Sequence, residues 1–253
     1  MRFWAKAATP TLVTGRWHST WGMAGIPGAG SWNTTLAGVN LSSTSAMVAG
    51  QIPFTDPGSG SSYLARFVGA VGQPGKLLLC DRLWHNGGFT AVTSAQTINS
   101  AAFPARDVNG STNGVGVFVG MEYSATGAAN TPTITVSYTN QAGTAGRTGS
   151  NLTTSSAPPA GTFVGLTMQA GDTGVQSVQT VAFTSAPTAG SVNLVAYRVI
   201  AALECAQAYQ ASALDLVTGG MAQMFNGSVP YLVFIPTSTT ASALSGGMTV
   251  TQG

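Results

Sequence analysis

The sequence predicts an all-β protein: an antiparallel β-sandwich or jelly-roll-like body with an irregular, extended N-terminal segment and one short helix. Runs rich in β-branched and aromatic residues recur at short intervals from residue 63 onward. The breaks between them are made of Gly, Pro, Asn, Asp and Ser, drawn from 33 glycines and 12 prolines. Helical periodicity is missing between most of these runs, which points to antiparallel sheets rather than strand–helix alternation.

Residues 1 to 60 hold four of the five tryptophans, Trp4, Trp17, Trp21 and Trp32, amid Gly, Ser, Thr and Pro with little regular pattern. This composition predicts an extended arm, with residues 61 to 253 forming the body as one sandwich or two subdomains. Each tryptophan offers a large area for burial. The four either lie along their own subunit or dock onto a neighbour.

The stretch "YLARFVGAV" (63–71), the turn "GQPG" and "KLLLCDRLW" (76–84) read as a hairpin of two apolar strands. Further strands are expected at "GVGVFVGMEYS" (114–124), "TPTITVSYTN" (131–140), "TFVGLTMQA" (162–170), "VQSVQTVAFTS" (175–185), "SVNLVAYRVIA" (191–201) and "PYLVFIP" (230–236). The segment "LECAQAYQASALDLV" (203–217) has Leu203, Ala206, Tyr209 or Gln210, Ala213 and Leu214, and Val217 near helical spacing, with Gly219 and Gly220 after it. It is the one place where a helix is expected. The Ser/Thr-rich tail either pairs as an edge strand or stays mobile.

Charge is scarce: Asp, Glu, Lys and Arg make up 6% of the 253 residues, against a usual value of roughly 25%. A folded chain of this size exposes roughly 10,000 Å², so its sixteen formal charges amount to about one per 600 Å². A surface of hydroxyls and amides loses little when it is covered by hydrogen-bonding partners, whereas each unpaired charge taken into an interface is costly. Such a composition suits a protein packed against copies of itself or a scaffold. The net charge of +2 comes from scattered side chains, so neither nucleic acid nor an anionic membrane is expected as a partner. No eighteen-residue apolar window and no signal-peptide core are seen, so membrane insertion and secretion are not expected. The two cysteines, Cys80 and Cys205, read first as buried thiols, with a bridge between them as the alternative.

One stretch, "LLLCDRLWHNGG" (77–88), gathers Cys80, Asp81, Arg82 and His85 beside Trp84. Alternation sends Leu77, Leu79, Asp81, Leu83 and His85 to one face and Leu78, Cys80, Arg82 and Trp84 to the other. Cys80 and His85 therefore face apart and do not form a nucleophile–base pair. The stretch reads first as a strand buried on both faces whose polar end seeks partners among Arg106, Asp107 or Arg198, and second as a subunit contact through Trp84 and His85. Only two histidines occur, His18 and His85, without the Cys and His spacing of a zinc site. "RDVNGSTNG" (106–114) sets Asp107, Asn109, Ser111 and Asn113 at alternate positions as a calcium loop does, but Phe118 stands where the bidentate Glu belongs. A polar turn is expected there. No catalytic residue, metal ligand or cofactor site is expected, and the protein reads as non-enzymatic.

Taken together, "CDRLWHNGG", "FPARDVNGSTNGVGVFVGMEYS", "YTNQAGTAGRT", "GDTGVQSVQTV" and "LVAYRVIAALE" resemble phrases of a family of virion structural proteins from tailed bacteriophages, over roughly residues 76 to 236. The resemblance implies a β-sandwich particle component present in many copies, with virion proteins such as the major capsid protein, and further copies of itself, as partners. It is compatible with a decoration or cement protein on the capsid exterior that bridges neighbouring capsomers, with tail, neck or fibre as competing locations. The interface candidates are Trp4, Trp17, Trp21, Trp32, Trp84 and His85. Two other classes fit a charge-poor, aromatic-bearing β-sandwich: a carbohydrate-binding module, and a glycan hydrolase built on a carboxylate pair.

Overall fold

The computed structural model describes residues 1–90, 92–127, 133–151, 157–185 and 190–253. In chain order its elements are β1 (Arg2–Lys6), β2 (Trp17–Ser19), β3 (Gly25–Ile26), β4 (Val39–Asn40), β5 (Ser62–Val71), β6 (Gly75–His85), β7 (Gln96–Thr97), β8 (Val117–Ala125), β9 (Ile134–Asn140), β10 (Arg147–Asn151), β11 (Thr162–Thr167), β12 (Val175–Phe183), β13 (Ser191–Cys205), β14 (Ser212–Asp215), α1 (Leu216–Gly219), β15 (Gln223–Met224), β16 (Pro230–Pro236) and β17 (Leu244–Gln252). Among the described residues the protein is all-β with antiparallel pairing and one short helix. Residues 131 and 132 of the strand expected at 131–140 lie outside the described residues.

The chain divides into two compact units. The first comprises Met1–Ser31, Ser42–Asp81 and Val199–Gly253, and the second Trp32–Leu41 and Arg82–Arg198. The divisions at 81/82 and 198/199 fall inside β6 and β13, so each of these long strands contributes to both units.

In the first unit one sheet runs β14-β5-β17-β1-β3, with β15 also paired to β5. The other layer is built from β2, β16 and the unit's portions of β6 and β13. Their inward side chains, among them Trp4, Phe67, Leu77, Leu79, Leu203, Leu232, Phe234, Leu244 and Met248, form one buried cluster. The register of β16 on β6 sets Leu232 opposite Leu79 and Phe234 opposite Leu77, so both strands aim the same parity of side chain at the core. Gly246 on β17 is required by close approach, because a Cβ there would meet the Val68 carbonyl and the Trp4 ring.

In the second unit β8 lines the core with Val117, Val119, Met121 and Tyr123, and β9 does so with Ile134, Val136 and Tyr138, each at period two. β12 is different: its buried residues are Val175, Val178, Val181 and Phe183. The spacing of three follows from two register shifts against β9, between Val175 and Ser177 and between Val178 and Thr180. Each bulge inserts one extra residue and returns the next valine to the core face.

Three expectations need correction. β5 and β6 are not a hairpin: they belong to different sheets, and the "GQPG" turn carries the chain from one layer of the first unit to the other. Both strands have an apolar face, and two apolar faces are buried as well by facing each other as by lying side by side; a Cβ on Gly69 of β5 would touch Leu77 of β6 and Leu203 of β13 across the core. The helix expected over 203–217 is mostly absent. β13 continues to Cys205 with Leu203 and Cys205 inward and Ala202 and Glu204 outward, β14 follows, and helix begins only at Leu216 behind the N-cap of Asp215. Sheet pairing overrides the local helical spacing here.

The third correction concerns residues 1 to 60, which do not form an arm. β1 pairs along β17 from Arg2↔Met248 to Lys6↔Leu244, and Trp4 sits in the first core with its ring 6.4 Å from Phe67. Residues 32–41 belong instead to the second unit. Lys6 is buried, and its ammonium donates to the carbonyls of Met23 (3.2 Å) and Pro27 (2.7 Å). Burial pulls its pKa down to about 8.

Removing the Trp4 ring by Trp4→Ala should destabilise the protein by about 3–5 kcal/mol through lost burial and the cavity left behind. Urea denaturation followed by circular dichroism checks this. A chain lacking residues 1–31 should lose the cooperative unfolding of the first unit, because β1 and Trp4 go with it; an unchanged transition would show that these residues are dispensable after all.

Candidate functional site

The stretch that concentrated the scarce residues becomes the end of β6 and the turn beyond it. Arg82 and Glu122 form an ion pair, Nη2 to Oε2 at 2.6 Å, with both side chains at 0% exposure. The same Arg82 nitrogen lies 3.1 Å from His85 Nδ1. A guanidinium nitrogen only donates, so Nδ1 accepts and the imidazole proton sits on Nε2. Trp32 Nε1 donates to the same Glu122 oxygen at 3.2 Å. Arg106 donates to the Leu41 carbonyl (2.9 Å) and the Arg82 carbonyl (3.2 Å), fixing the backbone that carries this cluster.

The following "HNGG" ties residues 33–38 to the sheet. Asn86 accepts from the Leu194 amide at 2.8 Å through Oδ1 and donates to the Leu36 carbonyl at 2.9 Å through Nδ2. Asn193 donates to the carbonyls of Asn33 and Asn86. Gly87 has no room for a side chain, since a Cβ would run into the Asn33 carbonyl. Trp84 donates from Nε1 to the Ala37 carbonyl at 3.1 Å, and its ring lies 5.5 Å from Phe103.

Burial pushes the His85 pKa down to about 3, and the Arg82 charge beside it adds to the effect. His18, on β2 of the first unit, is pushed down to about 4 by burial. Both imidazoles are therefore neutral at pH 7. A reaction at Arg82 or Glu122 would need a substrate to reach side chains that no solvent touches, so the cluster as it stands fixes structure rather than turning over a substrate.

A second polar knot closes the corner between β9, β10 and the loop before β12. Arg147 grips Asp172 with two nitrogens, at 2.9 Å and 3.0 Å. Tyr138 donates to the same carboxylate at 2.6 Å and Asn140 at 2.7 Å. The bond from Arg147, then those from Tyr138 and Asn140, overcome burial and hold the Asp172 pKa at about 2.

The "RDVNGSTNG" stretch is a polar turn. Asp107 accepts from the amides of Asn109 (2.9 Å), Ser111 (2.8 Å) and Val115 (3.1 Å) and from the Ser111 hydroxyl (2.8 Å). Burial alone would raise this carboxyl; the donors from Ser111, Asn109 and Val115 outweigh it and keep it below its ordinary value. Among the described residues, no group of three or more His, Cys, Asp or Glu is placed to hold a metal ion, and no helix is long and apolar enough to cross a membrane. Cys80 and Cys205 are both buried and unbridged.

Of the six interface candidates, Trp4, Trp21, Trp84 and His85 are buried within the subunit, at 2%, 0%, 1% and 4% exposure. Trp21 donates to the Ser31 carbonyl and meets Tyr231 edge-on at 6.0 Å. Trp17 and Trp32 keep partial exposure. Of the partners expected near Arg82, Arg106 is there as a backbone clamp, while Glu122, the side chain that Arg82 itself grips, was not among them. The available signal was a lone carboxylate inside the apolar run "VFVGMEYS", which must find a cation if it is buried. The partners of Asp81, the Ser228 hydroxyl at 3.1 Å and the Val229 amide at 2.8 Å, lie far along the chain.

Comparison with known proteins adds no identification: no family model, no curated protein and no solved structure matches the chain.

Replacing one member of the buried pair, by Glu122→Leu or Arg82→Met, should cost about 3–5 kcal/mol, since the other charge is left buried and uncompensated. The double variant Arg82→Met/Glu122→Leu should recover much of that loss, as a thermodynamic cycle on urea denaturation would show. Acid should also weaken the fold. Both histidines have folded pKa values below their ordinary 6.5, so the unfolded chain takes up protons first as pH falls. Their stabilising contribution is complete above about pH 6.5 and is lost toward pH 4 for His18 and pH 3 for His85. At pH 5 each should have cost its unit roughly 2 kcal/mol, visible as a lower denaturant midpoint than at pH 7.

Proposed function

We propose that this protein is a non-enzymatic structural component of a tailed-bacteriophage virion, acting as a decoration or cement protein that stabilises the capsid exterior by bridging neighbouring capsomers. The observation that carries the reading is the distribution of charge. Lys6, Asp81, Arg82, Arg106, Asp107, Glu122 and Arg198 are buried, seven of the sixteen charged residues. Nine remain to serve an accessible surface of 9914 Å². The exterior is thus poorer in charge than the composition alone implies.

A surface of this kind can be covered at low desolvation cost and exerts little repulsion between identical copies at close spacing. The same property would be a liability for a protein that must stay dispersed. The all-β body and the resemblance of residues 76 to 236 to phage virion proteins support the same assignment. Because Trp4, Trp21 and Trp84 serve the interior, contacts with capsomers are assigned to the hydroxyl-rich surface and exposed apolar side chains instead.

Reconstruction by electron cryomicroscopy of the particle that carries this chain tests the proposal. Density for the two units on the capsid lattice is the expected result. Density confined to tail, neck or fibre would keep the structural class and overturn the decoration role, and absence of the chain from purified particles would overturn both.

A further inference from the structure

The sheet β14-β5-β17-β1-β3 of the first unit carries a knob on one flank and a hollow on another. The knob follows the edge strand β14, which pairs with β5 and, among the described residues, with no second strand. Here α1 projects two apolar side chains into solvent, Leu216 at 47% exposure and Val217 at 91%, and Met221 just beyond it is exposed at 48%. Val217 is the most exposed large apolar side chain described. Asp215 at the N-cap fixes the turn by accepting from the amides of Val217 (3.0 Å) and Thr218 (3.1 Å), so the apolar tip is held rather than loose.

The hollow lies where β1 stops. The last β1–β17 pair is Arg2↔Met248, while β17 continues to Gln252 beside β5. Along Thr249–Gln252 the side of β17 away from β5 has no strand partner among the described residues. At this place a cavity of about 280 Å³ opens, lined in about equal measure by apolar residues, Met1, Phe54 and Val250 among them, and by polar ones, among them Arg2, Thr55 and Gln252. A cavity of roughly 150 Å³ already accommodates a benzene ring, so two aliphatic side chains fit. Arg2 is the one charged residue in its wall.

We propose that the occupant is a second copy of this chain: the Asp215–Val217 turn of one subunit seats Leu216 and Val217 in the cavity of the next and sets the Asp215 carboxylate against Arg2. Charge agrees, and the apolar part of the lining receives the aliphatic tip: side chains led by a carboxylate meet a hollow lined partly by Met1, Phe54 and Val250 and edged by a guanidinium. The open edge of β17 supplies backbone donors and acceptors for the incoming turn. Knob and hollow are different surfaces of one subunit, so the contact is head-to-tail and repeats from copy to copy, closing into a ring or continuing as a row. The contact is small, below the roughly 1,200 Å² of stable interfaces, so it is weak between free subunits and gains strength when a lattice holds many copies together. The inference rests on the assembly reading above and names the self-contact within it.

Sedimentation velocity of the full chain up to about 1 mM tests the contact, together with two variants at exposed positions, Val217→Asp on the knob and Thr55→Trp at the hollow. Wild type should associate as concentration rises, and each variant should be weakened at least tenfold, with circular dichroism confirming that both fold. Asp215→Asn, which retains the cap, should weaken association as well. Mixing the two main variants should give dimers, because one supplies an intact hollow and the other an intact knob. A wild type that stays monomeric, variants that associate like wild type, or a mixture that yields no dimer would each overturn the proposal. Association in this manner by a chain absent from phage particles would uphold the contact and defeat the virion reading; a particle-bound chain whose free subunits never associate would do the reverse.

Discussion

The pairing of Arg82 with Glu122 is the constraint on which the second unit turns. Neither side chain meets solvent, so each is tolerable only while the other is in place, and both strands that carry them are held to one register. β8 can present Glu122 to Arg82 only with Val117, Val119, Met121 and Tyr123 on the opposite face, where they line the core. The same carboxylate receives Trp32, which fastens the 32–41 segment, and the same guanidinium sets the tautomer of His85. A sequence so poor in charge places two charges here, where satisfying them specifies geometry more than it adds stability.

That economy extends over the molecule. Asp81 holds the Ser228–Val229 turn, Asp107 gathers the donors of its own loop, Lys6 collects carbonyls, and Asp172 closes a corner with Arg147, Tyr138 and Asn140. Asp81, Asp107 and Lys6 are spent on backbone groups that would otherwise lack partners, and Asp172 on the side chains of its corner. The remaining surface is mostly hydroxyls, amides and small apolar groups with few charges between them, so it repels a neighbour little and demands few countercharges from it. The internal use of charge and the external readiness for contact are thus one property, and it is the property on which the virion proposal stands.

The protein also departs from regular strands where its packing needs it. The triplet spacing of Val175, Val178 and Val181 on β12 would point valines to alternating faces in an unbroken strand, and two bulges return all three to the core. On β17, the shift between Thr249 and Val250 falls just beyond the end of β1, where, among the described residues, the strand keeps β5 as its one strand neighbour.

The sequence by itself determined the class of fold and most of the long strands. The runs at 114–124, 162–170, 175–185, 191–201 and 230–236 declare themselves because β-branched and aromatic side chains between turn formers leave few other conformations. It also determined the neutral surface and the polar turn at Asp107, which depend on composition and on groups close in the chain. Tertiary structure alone decided which strands are neighbours. Whether "GQPG" closes a hairpin or turns between layers, whether 203–217 continues a sheet, and whether residues 1 to 31 are arm or core depend on partners such as β17 and β16 more than a hundred residues away from β1 and β6. Short strands such as β1 have too few residues for alternation to be read, and they take their conformation from the edge they complete. Glu122 became the partner of Arg82 for the same reason: a pattern along the chain shows that a buried charge needs an opposite one, and only the folded sheet shows which charge stands across from it.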